Sequence, residues 1–261
     1  MPDSSARRAI SVLRSSHDRL QSLVVPLEPD ELERGSFASE WTIADVLSHL
    51  GSQAELLDPF LVAAREGKPE PDRAGFPEVW DRWNALSPTE QREQSAAAVE
   101  RHVAHLESLS DDDLSDLEIS LFDGAFVVDV AGYVQQLRLT EHAIHTWDVE
   151  VALDPSAVVP PAAVDLLVPK VPLIVGRAGR GSDRPFQARV DVTDRDECWD
   201  LTVGEAAAIA PCVDGQQAES TIGTSGEALL RLVFGRNRPE DDVRITGPLE
   251  RDDLLAAFPG P

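Results

Sequence analysis

The stretch E-H-A-I-H-T-W-D at residues 141–148 places a glutamate, two histidines and an aspartate within eight residues. Glu141 and His145 are four residues apart, so on a helix they share one face and lie one turn from each other. A carboxylate and an imidazole placed in this way can bind one metal ion together. They could equally form an exposed helical ion pair that contributes about 0.2–0.5 kcal/mol. The pair alone therefore leaves both interpretations open.

A third ligand is available in the segment S-H-L, where His49 lies on another helical stretch and shares a face with Gln53. His49, Glu141 and His145 would together supply two imidazoles and one carboxylate. Three protein ligands leave coordination positions open, which is typical of a catalytic metal site. The alternative for His49 is a hydrogen-bonded histidine in the core. Extending the face of Glu141 and His145 adds Arg138 and Asp148.

The other histidines give weaker indications. His17 lies on the apolar stripe of the first helix, which points it inward, where it could support a metal ligand, act as an acid or base, or pack as a polar residue. His142 lies on a neighbouring face and is predicted to be structural or solvated. His102 and His105 lie among charged residues, and we expect both on the surface.

Four helical segments must position these residues. The first covers about residues 6–25, and the second begins after a capping box of Thr42 and Asp45. The third begins at S-P-T-E, residues 87–90, and the fourth runs from about 130 to 153 after Asp129 as cap. Four helices of this length predict a bundle, with long connections at 68–79 and 110–128.

The pattern changes after the double proline at 160–161. A helix is predicted at 162–177, and alternating runs predict strands at 186–192 and 198–203. A short strand near 219–222, a helix at 226–234 ending at Gly235, a strand at V-R-I-T-G and a last helix at 249–258 follow. The fold class is therefore α+β, with a helical domain at 1–155 and a smaller α+β domain at 156–261.

Composition limits the partners. The chain of 261 residues carries 47 acidic and 23 basic residues, a net charge of −24. Nucleic acids and anionic membranes would be repelled, which leaves a small molecule or a protein as partner. The first residues lack the apolar core of a signal peptide, so a cytoplasmic location is expected. Cys198 and Cys212 lack zinc-ligand spacing, and in that compartment a disulfide between them is not expected.

Three segments resemble the mycothiol-dependent maleylpyruvate isomerase family: S-F-A-S-E-W-T-I-A-D-V-L-S-H-L-G at 36–51, E-H-A-I-H-T-W-D-V at 141–149 and L-L-R-L-V-F-G-R at 229–236. The resemblance implies a DinB-like metal-binding four-helix bundle at 1–155, joined to a smaller sterol-carrier-like domain at 156–261. It also implies a metal, usually zinc, held by His49, Glu141 and His145. An arginine of the second domain is expected to approach the substrate, with Arg236 as the closest match and Arg238 as the alternative.

The resemblance further implies mycothiol or a similar thiol as co-substrate. Its thiolate would add to an activated double bond, permit rotation and leave, or would remain in the product of an S-transfer. Arg236 and His17 are the candidate catalytic residues. Two other functions stay open: a metal-dependent hydrolase or isomerase that needs no thiol, and a non-catalytic protein that binds a small molecule.

Overall fold

The computed structural model describes residues 4–38, 40–213 and 218–260. The chain divides into two compact units, Met1–Val158 and Val159–Pro261. The first is mainly helical and the second is built on a sheet, so the α+β class is confirmed. Within the described ranges, no helix is long and apolar enough to cross a lipid bilayer.

The helical unit consists of segments that follow one another along the chain. Among the described residues, six helices come first in the chain order: α1 (Ser4–Val24), α2 (Pro29–Leu32), α3 (Ile43–Arg65), α4 (Phe76–Asn84), α5 (Pro88–Glu107) and α6 (Asp111–Asp116). An antiparallel hairpin is formed by β1 (Glu118–Leu121) and β2 (Phe126–Asp129). It leads into α7 (Val130–Tyr133), a π-helical segment (Val134–Leu139) and α8 (Thr140–Leu153).

Side-chain caps start the two helices that the sequence places after capping boxes. The Thr42 hydroxyl accepts a hydrogen bond from the Asp45 amide at 3.1 Å, and the Asp45 carboxylate accepts one from the Thr42 amide at 2.9 Å. Ser87 and Glu90 form the same reciprocal pair at the start of α5. Each box satisfies amide groups that the first helical turn leaves without partners. The predicted starts of both helices are therefore confirmed.

The core of the helical unit lies where α1, α3 and α8 pack together. Its members are fully or almost fully buried aliphatic residues from these helices and from α2: Leu20, Val24, Leu32, Ile43, Ala44, Val46, Leu47, Leu50 and Val149. Burial of such side chains contributes about 1.5–3 kcal/mol each. This packing fixes the orientation of α3 and α8 relative to each other, and so determines which side chains of the two helices meet.

Three expectations for the helical unit were wrong. The connections predicted at 68–79 and 110–128 contain α4, α6 and the hairpin, whose four-residue strands are too short for a clear alternating pattern. The helix predicted without interruption over 130–153 is divided by the π-helical segment. There the Thr140 hydroxyl donates to the carbonyl of Gln135, five residues earlier.

The second unit begins with α9 (Pro161–Leu167), a short 3₁₀ turn (Val168–Lys170) and α10 (Val171–Ala178). It continues with β3 (Phe186–Val192), β4 (Glu197–Val203), β5 (Ala207–Pro211), β6 (Ser220–Thr224), α11 (Gly226–Val233), β7 (Val243–Thr246) and α12 (Arg251–Ala257). The five strands form one sheet in the order β5-β4-β3-β6-β7, in which β3 and β6 are parallel and the other neighbours antiparallel. Gly235, with a φ of 71°, follows α11 as predicted, because this conformation suits glycine.

The expectation of unpaired cysteines was wrong, because Cys198 and Cys212 form a disulfide. Cys198 lies in β4, and Cys212 follows β5, a strand that the sequence analysis did not identify. The amide of Cys212 donates to the carbonyl of Cys198 at 3.1 Å, which extends the ladder between the two strands. This pairing holds the two Cα atoms 5.5 Å apart, a separation usual for a disulfide.

Candidate metal centre

Two helices bring three potential metal ligands together. His49 of α3 and Glu141 and His145 of α8 each offer one ligand atom, and these atoms all lie within 4.8 Å of one another. The Nε2 atom of His49 is 3.1 Å from Oε2 of Glu141, and Nε2 of His145 is 3.7 Å from the same oxygen. Among the described residues, no other group of three histidine, cysteine or acidic side chains meets this condition.

Asp148 orients one of the two imidazoles. Its carboxylate lies 2.9 Å from Nδ1 of His145, and the Asp148 side chain is fully buried. A carboxylate at this distance accepts the Nδ1 proton, so the lone pair of His145 lies on Nε2, the nitrogen that faces Glu141. A carboxylate behind a ligating histidine is a regular feature of metal sites, where it fixes the tautomer and raises ligand basicity.

Trp41 packs against both imidazole rings. Its ring centre lies 5.5 Å from that of His145 with the planes nearly parallel, and 5.1 Å from that of His49. Trp41 directly precedes Thr42, the cap of α3, so the start of this helix and the lining of the site are set by adjacent residues. Trp41 was not predicted to line the site, since a single tryptophan before a helix is usually a packing residue.

The charges of the cluster suit a cation. Burial opposes ionisation of Glu141, but the hydrogen bond with His49 and the electrostatic interactions with His145, His49 and Arg138 outweigh it and lower its pKa to about 2. Burial lowers the pKa of His49, although its contact with Glu141 acts in the opposite direction. At neutral pH the site therefore contains an ionised carboxylate and a neutral imidazole, the protonation states that metal ligands require.

The donor set fits a divalent transition metal. Two imidazole nitrogens and one carboxylate oxygen suit zinc and related ions and leave room for a further ligand. The side chain of His145 is only 9% exposed and that of Glu141 is 34% exposed. An ion pair on a fully solvated helix surface would be more exposed, so the geometry favours the metal-site interpretation.

The other predicted site residues, His17, Arg236 and Arg238, are not members of this three-residue group. His17 is buried, as expected from its stripe, with Nε2 3.5 Å from Glu100 and its ring edge-to-face with His142 at 6.0 Å. In the second unit, Nη1 of Arg236 donates to the Phe234 carbonyl at 2.8 Å. Its alternative, Arg238, hydrogen-bonds to Asp241. The catalytic roles of His17 and Arg236 stay predictions.

The surface position predicted for His102 was wrong. His102 is fully buried, because its Nδ1 hydrogen-bonds to Asp58 at 2.9 Å and its ring packs beside Tyr133. His105, whose side chain is 44% exposed, contacts the same carboxylate. His142 is also buried, with Nδ1 2.9 Å from the Ser16 hydroxyl. The charged residues beside His102 in the sequence concealed its inward position.

Fold and site together define a class of protein: a helical unit that holds a cluster of two histidines and one glutamate, followed by a unit with a mixed five-stranded sheet. Residues 13–150 match the family described as the mycothiol maleylpyruvate isomerase N-terminal domain, and the chain belongs to this family.

Two solved structures share the fold. One is the mycothiol-dependent maleylpyruvate isomerase, with a TM-score of 0.68, and the other is a histidine-to-alanine mutant of that isomerase, with a TM-score of 0.69. Each is 17% identical in sequence, and each match covers 94% of this chain and 95% of the other. No functionally curated protein matches the sequence.

Proposed function

We propose that this protein is a metal-dependent enzyme that uses a low-molecular-weight thiol of the mycothiol type. The reaction is a cis–trans isomerisation or an S-transfer on a small electrophilic substrate. The observation that carries the proposal is the convergence of His49, Glu141 and His145 within 4.8 Å, in a chain whose family is named for a mycothiol-dependent isomerase.

The three ligands would hold the ion, and zinc is the metal that we assign from the donor set. A bound divalent ion supplies positive charge that lowers the pKa of a thiol, so that thiolate is present at neutral pH. Asp148 keeps the lone pair of His145 on Nε2, and Trp41 holds both imidazole rings in place.

The reacting thiol must come from outside the chain. Both cysteines, Cys198 and Cys212, are joined in a disulfide of the second unit, and neither is a free thiol. An external thiolate that adds to a conjugated double bond converts it into a single bond, which can rotate before the thiolate leaves. In an S-transfer the adduct is the product. Both reactions start from the same ligands, so the cluster supports either.

For the second unit we assign Arg236 to the substrate, because it is the closest match to the arginine that the family resemblance implies, and we keep Arg238 as the alternative. We also assign His17 as an acid or base of the reaction, on the basis of its buried imidazole.

The test combines thiol, metal and an activated cis-alkene. Zinc-loaded protein is mixed with mycothiol and the alkene, and the trans isomer and the thioether adduct are both quantified. We expect product only when thiol and metal are both present, and its loss in His145→Ala but not in the control His105→Ala. Turnover that needs metal but no thiol would favour a hydrolase or a thiol-independent isomerase. Tight binding of a small molecule by metal-free protein without turnover would indicate a carrier.

A further inference from the structure

The disulfide between Cys198 and Cys212 lies on the outer face of the sheet in the second unit. Along β4, the residues Trp199, Leu201 and Val203 are buried, whereas the residues that alternate with them, Cys198 among them, are partly or fully exposed. Cys212, which follows β5, is also partly exposed. Because alternate residues of a strand point to opposite faces, the disulfide lies on the side that faces away from the core. A reagent in solution can therefore reach this bond.

The disulfide closes a hairpin that other contacts already hold together. Strands β4 and β5 pair along their length, from Trp199 opposite Pro211 to Val203 opposite Ala207. On the inner face, α10 packs against β5, where Ala207 and Ile209 are buried. The two cysteines are only 14 residues apart, so the covalent loop contains little more than the hairpin itself. Opening the disulfide would free the open end of the hairpin and leave the sheet paired.

The proposed co-substrate is a reagent for this bond. A thiolate attacks a disulfide sulfur, forms a mixed disulfide with one cysteine and releases the other cysteine as a thiolate. A second thiolate then attacks the mixed disulfide, and the two small thiols leave joined as their own disulfide. The protein disulfide gains the two electrons that the two small thiols lose, so the exchange needs no other oxidant or reductant.

The sheet determines which of the two sulfurs is attacked. Displacement at sulfur is in line, so the thiolate approaches from the side opposite the leaving sulfur, and access to that side controls the rate. Cys212 follows β5, the last strand of the sheet, and no strand among the described residues pairs with the outer side of β5. An attack on Cys198 comes instead from the side of β3, where Asp191 lies directly opposite Cys198 and is exposed. Its negative charge repels an approaching thiolate.

We propose that Cys198 and Cys212 form a thiol-exchange site. A low-molecular-weight thiol opens the disulfide by attack on Cys212 and is carried there as a mixed disulfide, and Cys198 is the leaving thiolate. Mycothiol as this thiol rests on the proposed function, whereas the exchange site itself rests on the position of the disulfide. The site needs no metal and lies in the sheet of the second unit, whereas the candidate metal ligands lie on α3 and α8 of the first.

The test titrates reduced mycothiol into purified full-length protein that a chelator has freed of metal. Samples are quenched with acid, their free thiols are alkylated, and the cysteine peptides are identified by mass spectrometry. We expect a mixed disulfide on Cys212 with alkylated Cys198 at intermediate thiol concentration, and two alkylated cysteines at high concentration. The adduct on Cys212 should exceed that on Cys198 roughly fivefold, as expected for one nearby repelling charge in water. Circular dichroism should show folded protein throughout.

Single-cysteine variants provide a matched comparison with mycothiol disulfide as the probe. Cys198→Ser leaves Cys212 as a free thiol, and Cys212→Ser leaves Cys198. The mixed disulfide should form roughly fivefold faster in Cys198→Ser than in Cys212→Ser. Addition of Asp191→Asn to Cys212→Ser should remove most of this difference, because the amide does not repel the probe.

Three results would overturn the exchange site. One is a disulfide that stays intact in folded wild-type protein at mycothiol concentrations that reduce it in urea. The second is equal or greater adduct on Cys198, and the third is wild-type protein purified with two free thiols that take no adduct from mycothiol disulfide. If a variant does not fold, the wild-type titration still decides. Exchange without turnover by metal-loaded protein would contradict the proposed function alone. Turnover with mycothiol in a protein whose disulfide resists the thiol would contradict the exchange site alone.

Discussion

The protonation states of individual side chains suit the cluster of His49, Glu141 and His145 to a cation. Glu141 is ionised because His49, His145 and Arg138 stabilise its charge, and His49 is neutral because it is partly removed from water. Asp148 completes the arrangement from behind His145. The three candidate ligands were predicted from their residue types, the i, i+4 spacing and the family resemblance, and the structure brings them together.

Asp148→Asn should weaken metal binding without removing a ligand. The amide retains the size of the carboxylate but lacks its negative charge, so it holds the Nδ1 proton of His145 less strongly. Loss of such a supporting carboxylate typically lowers metal affinity about 10- to 100-fold. Competition with a chromophoric zinc chelator measures this change. Asp154→Asn, at the end of α8 and away from the cluster, is the control, and equal affinities in the two variants would contradict the role of Asp148.

His102 should make the stability of the protein depend on pH. Burial, only partly opposed by Asp58 and reinforced by the charge of Arg138, lowers its pKa to about 4 from the ordinary 6.5. Between these values the unfolded chain binds more protons than the folded protein. The contribution of His102 is therefore fully present above pH 6.5 and is lost as the pH falls to about 4, by at most about 3 kcal/mol.

The measurement is urea unfolding of wild type and His102→Gln at pH 7 and at pH 4.5. The variant should be less stable at pH 7 but lose less stability on acidification. His105→Gln serves as the control, because His105 contacts the same carboxylate of Asp58 but is half-exposed. Asp58, whose pKa is lowered, affects stability mainly below its ordinary value of 3.8, outside this window. Parallel pH profiles for wild type and His102→Gln would show that His102 has no such effect.

At the scale of the elements, close helix packing sets the position of α3. A Cβ atom on Gly51 would lie 2.4 Å from the ring of Trp83 in α4 and 2.8 Å from the Cα of Ser95 in α5. Gly51 is two residues from His49. The close helix packing that requires a glycine at position 51 therefore also fixes the position of the His49 side chain. Without the structure, the glycine in A-D-V-L-S-H-L-G would only suggest a weaker helix.

Gly51→Ala should therefore destabilise the protein by about 1–3 kcal/mol, the usual cost of an overpacked core. Gly176→Ala is the matched control, because Gly176 is also helical but exposed, and a Cβ there meets no atom within 4 Å. That substitution should be neutral or stabilising by up to about 1 kcal/mol, since alanine is the better helix former. Chemical denaturation compares the two, and similar effects for both would contradict the packing argument.

The elements also show where sequence reasoning ends. The capped starts at Thr42 and Ser87 were predicted, because a capping box is a local signal. The π-helical segment was missed, because its residues V-Q-Q-L-R-L carry no local signal that separates them from a continuing α-helix. Strand β5, A-A-I-A-P, contains few residues that favour strands and forms through pairing with β4. The disulfide was missed with it, because only that pairing brings Cys198 and Cys212 together.

For the molecule as a whole, the net charge of −24 should repel an anionic substrate. Added salt screens this repulsion, because the Debye length falls from about 30 Å at 0.01 M to about 8 Å at 0.15 M. We therefore expect kcat/KM for a carboxylate-bearing substrate to rise with sodium chloride over this range. An uncharged ester of the same substrate serves as the control. Equal salt dependence of acid and ester would mean that net charge does not influence the encounter.

The sequence predicts a division after residue 155, near the double proline, and the structure divides the chain between Val158 and Val159. The α+β class and the family were predicted and are confirmed. The metal-binding and sterol-carrier-like roles of the two parts stay predictions, as do the metal, the thiol and the cytoplasmic location. Composition and local pattern do not determine which metal or thiol the protein binds, nor where in the cell it is located.

The most direct test of the account is metal content by elemental analysis, after expression with zinc supplied and dialysis against a weak chelator. The protein variants are wild type, His145→Ala, Glu141→Gln and the control His105→Ala. We predict about one equivalent of metal in wild type and in His105→Ala, and little in the two ligand variants. Folded wild-type protein without metal, or equal metal in all four proteins, would contradict the assignment of His49, Glu141 and His145 as a metal centre.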